Sequence, residues 1–168
     1  METAKFRIVP AHTAEHIATA RSLFTAYVDW LNIDLTYQDY PLELDSLPGK
    51  YGAPHGELLL AFSIEDTPLG CVAVRPLDQG ETQTCEMKRL YVSPEARGVG
   101  LGKALVAGIV QRAKELGYEE MRLDTLPSRM QETIQLYMRL GFVETRPTTK
   151  LLCMRQSSWH STLHDDGA

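Results

Sequence analysis

The chain opens on an alternating, β-rich stretch, Lys5–Val9, closed by Pro10, and this pattern predicts a first strand. From Thr13 the spacing turns helical, with Ile17, Arg21, Phe24, Val28 and Leu31 about one turn apart. Thr13 suits the N-cap, and Glu15 places a carboxylate in the first turn, where the helix dipole favours it. A second, short helix is predicted over Thr36–Leu47, with Tyr40, Leu44 and Leu47 on one face, before an irregular loop from Pro48 to Pro54. Three apolar, β-rich runs follow: Glu57–Ser63, Leu69–Arg75 and Thr84–Val92. Their short, turn-rich connections favour an antiparallel meander.

Beyond Val92 the pattern alternates between helix and strand. Leu101, Leu105, Ile109 and Leu116 form one stripe stopped by Gly117. Met121–Thr125 reads as a strand. Met130–Leu140 reads as a helix carrying Ile134, Tyr137 and Met138 on one face, with Gly141 as its stop. Phe142–Glu144 and Lys150–Arg155 read as terminal strands. The order β-α-α-β-β-β-α-β-α-β-β predicts an α/β chain of α+β layout: a single mixed, mostly antiparallel twisted sheet with helices on both faces. The organisation expected is one domain over residues 1–155 and a polar tail over 156–168.

Composition narrows the classes. At 168 residues, 43% hydrophobic and 23% charged, the chain has enough apolar content to bury its own core. A net charge of −5 argues against general nucleic-acid binding, because no broad basic field faces phosphates. Three widely spaced cysteines, Cys71, Cys85 and Cys153, fit reduced thiols in the cytoplasm better than a disulfide framework. The N-terminus reads neither as a signal peptide nor as an anchor, and no apolar run approaches the ~18 residues of a membrane span.

The chemistry concentrates in Glu86–Lys103. A strand runs into a loop with Arg97, then Gly98, Gly100 and Gly102, then a long helix. Glycines let backbone amides approach a ligand, and a helix start presents free N–H donors, so the local design is a diphosphate cradle flanked by Arg97 and Lys103. A Walker loop is excluded by Arg97 at its first glycine position and Ala104 at its hydroxyl position. The dinucleotide fingerprint fails at Lys103, where its third glycine belongs, although Asp124 imitates the ribose-binding acid. A nucleotide-dependent oxidoreductase is therefore the more distant rival.

Arg97-Gly98-Val99-Gly100-Leu101-Gly102 does match Arg/Gln-x-x-Gly-x-Gly/Ala, and Leu136-Tyr137-Met138-Arg139-Leu140-Gly141-Phe142 matches Leu-Tyr-x-x-x-Gly-Phe. With these two motifs, over roughly Lys5–Arg155, the chain resembles the GCN5-related N-acetyltransferase superfamily. The resemblance implies that superfamily's acyl-CoA N-acyltransferase fold, acetyl-CoA as cosubstrate and transfer to a small-molecule or peptide amine, with no metal. It also implies a gap between the Thr84–Val92 and Met121–Thr125 strands, where the backbone of Leu90, Tyr91 and Val92 meets the pantetheine arm. The amides around Val99, Gly100, Leu101, Gly102 and Lys103 would hold the diphosphate. The alternative is a non-catalytic acetyl-CoA-binding sensor of the same fold.

Amine acetylation needs a neutral amine, a stabilised carbonyl oxygen and a proton or hydrogen bond for the departing thiolate. The resemblance points to Tyr137 as the donor to sulfur, against the plain reading of a core aromatic. Glu86 stands where histone-type members carry a general base. A solvated strand-end carboxylate, with a water relay doing the work, is the competing reading. Where family members often carry Asn and Ala, this chain has Met130 and Thr133. Asp29, Trp30, Asn32 and Asp34, joined by Tyr40 and Tyr51, fall where the superfamily shapes its acceptor pocket, and acidic residues there suit a cationic amine. His12-Thr13-Ala14-Glu15-His16 spells an inverted zinc-protease pattern, but His12 falls before the predicted cap. His160 and His164 read as solvated, and the acceptor's identity and a homodimer stay open.

Overall fold

A computed structural model describes residues 5–32, 39–77, 83–125, 131–145 and 152–156. The strands are β1 (Arg7–Pro10), β2 (Glu57–Phe62), β3 (Pro68–Pro76), β4 (Thr84–Val92), β5 (Glu120–Thr125), β6 (Val143–Glu144) and β7 (Leu152–Gln156). The helices are α1 (Ala14–Leu31), α2 (Tyr40–Asp45), α3 (Leu101–Glu115) and α4 (Gln131–Arg139). The strands form one sheet in the order β1-β2-β3-β4-β5-β7-β6, antiparallel throughout except where β4 meets β5. The predicted element order and meander are therefore observed. A doubly wound parallel sheet, which the dinucleotide reading needs, is not this architecture.

Helices cover both faces. On one, Leu59, Val72, Val74, Met87, Met121 and Leu123 pack against Leu101, Leu105, Ile109 and Ala113 of α3 and Tyr137 of α4. On the other, Leu58, Leu60, Cys71, Ala73 and Tyr91 pack against Leu23 and Phe24 of α1, Tyr40 of α2 and Tyr51. Every residue of β2 is buried, which explains its unbroken apolar run: both its faces are covered.

α1 begins as its sequence dictates. Thr13 is extended and its Oγ1 accepts from the His16 N–H at 3.1 Å, while Asn32 closes the helix in the left-handed region at φ 50°. Thr13→Ala is expected to cost about 1 kcal/mol, read as a lower urea midpoint at unchanged m-value. His12 stands outside the helix and meets Glu57 at 3.1 Å, while His16 packs on Phe62, so the two imidazoles do not share a helical face.

Several boundaries move. The second helix spans only Tyr40–Asp45; positions 36–38 and Asp34 lie outside the described residues. Phe142 belongs to the core beside Tyr137, not to a strand. Met138 is 49% exposed, because α4 turns Ile134, Leu136, Tyr137 and Leu140 inward instead. Gln156, assigned to the tail, pairs with Met121 in β7. Met130, the side chain of Cys153, His160 and His164 lie outside the described residues.

β4 carries the one irregularity that matters for the site. Cys71 opposes Tyr91 and Ala73 opposes Lys88, so Val72 faces two residues, Arg89 and Leu90. Arg89 takes φ 60°, the left-handed conformation of a bulge residue. The extra residue reverses the alternation. Cys85 and Met87 face α3 before it, whereas Leu90 and Val92 face α3 after it and Tyr91 turns to α1.

Candidate active site

β4 and β5 pair only at Thr84–Glu120, Cys85–Met121 and Glu86–Arg122. Beyond Glu86, β4 continues bonded to β3, while β5 continues to Thr125 bonded to β7. Two parallel strands thus start together and part, leaving the flank of β4 near Leu90–Val92 without a strand neighbour among the described residues.

At the open end of this gap a 3-10 turn, Pro94–Ala96, leads into the glycine loop. Gly98 and Gly100 sit at φ +82° and +81°, and a Cβ on either would meet nothing within 4 Å. Glycine is required there by conformation, not by crowding. Gly100 is the N-cap of α3 and supplies no side-chain cap, so the amides of Leu101, Gly102 and Lys103 face outward as an anion cradle. Gly102 packs near Leu136 and Val92, at 3.6 and 3.9 Å from its virtual Cβ. Ser93 Oγ, at the end of β4, is buried with no partner among the described residues. Arg97 and Lys103 are exposed, and the Arg97 guanidinium lies 5.0 Å from the Trp30 ring, bridging the loop to α1.

Tyr137 projects from α4 with 5% exposure, its ring 5.6 Å from that of Phe142. Its hydroxyl has no hydrogen-bond partner among the described residues. Burial, then the neighbouring Tyr27, push its pKa above the ordinary phenol value, so it holds its proton through the neutral range. Tyr27 itself, on α1, is pushed up to about 12, chiefly by burial, and its ring lies 6.1 Å from that of Tyr91. The two phenols come from helices on opposite faces of the sheet, and both keep their protons through the neutral range. Tyr27 is the residue that sequence reasoning missed. Spaced with Phe24 and Leu31, it reads as part of the core stripe.

Glu86 is not the solvated carboxylate of one reading. It is 6% exposed on the α1–α2 face, 3.2 Å from Arg75 and 3.3 Å from Lys88. Arg75 occupies the register position opposite it. Nearby, Arg89 binds Glu43 of α2 at 2.8 Å and lies 5.3 Å from the Tyr40 ring, while Tyr51 donates to the same Glu43. A cleft of about 370 Å³ opens between α2, the 49–51 turn and Arg75. Asp29, Trp30 and Asn32 are exposed at the end of α1.

A sheet parted between two parallel strands, with an uncapped helix N-terminus behind a glycine turn, defines the acyl-CoA N-acyltransferase fold. Residues 23–142 match the model of the acetyltransferase (GNAT) family, and the chain belongs to that family of N-acetyltransferases. It is 40% identical over 147 residues to an uncharacterised N-acetyltransferase of Schizosaccharomyces pombe, covering 88% of each chain. It is 32% identical over 199 aligned positions to another from Dictyostelium discoideum, covering 84% of this chain and 90% of that one. In fold it resembles a GNAT acetyltransferase of Staphylococcus aureus, with a TM-score of 0.74 at 17% identity over 90% of this chain and 98% of that one. It also resembles the PaiA N-acetyltransferase of Thermoplasma acidophilum, solved in complex with coenzyme A, with a TM-score of 0.70 at 18% identity and the same coverage. Among the described residues no helix is long and apolar enough to cross a membrane.

Proposed function

We propose that the protein transfers the acetyl group of acetyl-CoA to a primary amine by direct attack in a ternary complex. What carries this reading is the conjunction of three features on successive elements: the uncapped start of α3, the freed flank of β4 and, among the described residues, a Tyr137 phenol that keeps its proton with no hydrogen-bond partner. A diphosphate suits the first, an amide-bearing arm the second and a leaving thiolate the third. The buried, orphaned Ser93 hydroxyl, lying between the first two, adds a polar atom for the same molecule. The amides of Val99, Gly100, Leu101, Gly102 and Lys103 hold the diphosphate, with Arg97 and Gly98 shaping the turn. The backbone of Leu90, Tyr91 and Val92 takes the arm.

When bound, acetyl-CoA supplies an acyl group already activated as a thioester. The amine nitrogen bonds to the carbonyl carbon as the carbon–sulfur bond breaks. A backbone N–H near Leu90 receives the oxygen that gains negative charge. Tyr137 gives its proton or a hydrogen bond to the departing sulfur, and one amine proton leaves through Glu86, directly or by way of water. Thiol release from acetyl-CoA, measured across a panel of amines, tests this reading. Acetyl-CoA that binds yet is discharged by no amine would make the protein a sensor.

Glu86→Gln separates the two routes for the amine proton. The acidic limb of the kcat/KM profile is expected to disappear, with a loss of roughly tenfold or more at neutral pH. Coenzyme A affinity, measured by calorimetry, reports whether the fold survives. An unaltered profile assigns deprotonation to water alone.

A further inference from the structure

The expectation that acidic residues near the acceptor pocket receive a cationic amine meets a different charge balance. Among the described residues, the ion-pair network on the α1–α2 face contains Arg75, Lys88 and Arg89 against Glu43 and Glu86, all with side chains at most 26% exposed. Glu43 is already held by Arg89 and Tyr51, and Glu86 is shared between Arg75 and Lys88. Tyr27 and Tyr51 hold their protons, burial having raised both, and so bring no negative charge. On adjacent β5, Glu120 is taken by Arg122 and Arg155, while Asp124 is exposed to water. The cleft itself is lined by Asp39 and Glu43 against Lys50 and Arg75, and of these Glu43 is already held by Arg89 and Tyr51. Among the described residues the poorly solvated network therefore has one more cation than carboxylate, a surplus that a bound anion would offset.

Two further observations indicate where that anion goes. Arg75 lines the 370 Å³ cleft, and its contacts to a single Glu86 oxygen, at 3.2 and 3.4 Å, leave most of its five N–H donors without a partner among the described residues. Lys88 is pushed below its ordinary value, first by burial, with Arg89 and Arg75 adding to the effect against Glu86. Lys88 stands behind the cleft lining, 3.3 Å from the Glu86 oxygen opposite the one Arg75 holds, so that a carboxylate on Arg75 comes within its reach. The cleft volume falls at the lower end of the ~300–1,000 Å³ range of small-molecule sites.

Resting on the acetyltransferase reading, we propose that the acceptor is a small amino acid-type molecule, an amine carrying a nearby carboxylate, and that Arg75 and Lys88 take that carboxylate. Arg75 and Lys88 are thus specificity residues, and the carboxylate anchors the molecule while its amine reaches the acyl group at the parted strands.

The test compares leucine, phenylalanine and lysine with their decarboxylated counterparts isoamylamine, phenethylamine and cadaverine. Each is titrated into the intact protein, alone and with coenzyme A, and assayed for thiol release from acetyl-CoA. At least one carboxylate-bearing member is expected to bind and react about ten- to hundredfold better than its partner. Arg75→Gln and Lys88→Gln are each expected to erode that preference through the acceptor KM, with coenzyme A affinity reporting an intact fold. Decarboxylated amines that bind as well or better overturn the proposal, as does a preference untouched by both substitutions or an absence of binding by all three amino acids. Failure of coenzyme A to bind sinks the acetyltransferase reading instead, and the direct titrations still decide the carboxylate question.

Discussion

Tyr137→Phe is expected to lower kcat by about a hundredfold while leaving the KM for acetyl-CoA within about twofold. The asymmetry follows from the surroundings of the side chain. The ring fills the space beside Phe142, and phenylalanine keeps that packing, so cofactor binding and stability change little. What is lost is one hydroxyl on a buried residue, with no hydrogen-bond partner among the described residues, whose proton is held more tightly than in water. A phenol with a raised pKa stays neutral up to and beyond its ordinary value of ~10, so Tyr137 contributes no alkaline limb below that pH. Its preference for the protonated form also fixes the sign of its effect on stability: the contribution is complete below ~10 and falls away as pH rises through the folded-state pKa. Steady-state kinetics from pH 6 to 9.5 would test the absence of that limb, and urea midpoints of the two proteins above pH ~10 would test the sign. Equal turnover by the two proteins would return Tyr137 to the core and leave the thiolate to depart unaided.

Arg89→Ala should destabilise the fold by about 3 kcal/mol, the scale for breaking a buried ion pair from one side. Arg89 is 5% exposed at the side chain and its Glu43 partner 15%, so removing the guanidinium leaves the carboxylate of α2 with Tyr51 alone. The bulge conformation does not confuse the measurement. Alanine carries a Cβ just as arginine does, so the cost of φ 60° is common to both. Urea denaturation of Arg89→Ala, Glu43→Gln and the double variant gives the coupling directly. If the double variant is no more stable than Arg89→Ala alone, the loss comes from packing on Tyr40 and not from the stranded carboxylate.

Much of the fold was legible because local physics and tertiary position agree. The Thr13 cap, the apolar run of β2 and the glycine stop at Gly117 each announce themselves within a few residues. The glycine turn and Tyr137 were legible as motifs. The bulge at Arg89 was not. Two-against-one pairing depends on which β3 residue stands opposite, and a left-handed arginine has no sequence signature. The burial of Glu86, which the sequence left open between a general base and a solvated carboxylate, was hidden for the same reason, since its neighbour Arg75 is supplied by the strand register and not by the sequence beside it. Tyr27 was not singled out because helical spacing records which side of a helix is covered, not whether the covering has a gap in it.

That gap also governs the mechanics of the molecule. Strands β1 to β4 form one plate and β5, β7 and β6 another, and the backbone bonds of the seam lie at the Thr84–Glu86 end. The joint is therefore stiff at its base and compliant at its mouth, where widening breaks no ladder bond. A ligand inserted there acts as a wedge and a weld together, setting the spacing that the polypeptide leaves undetermined.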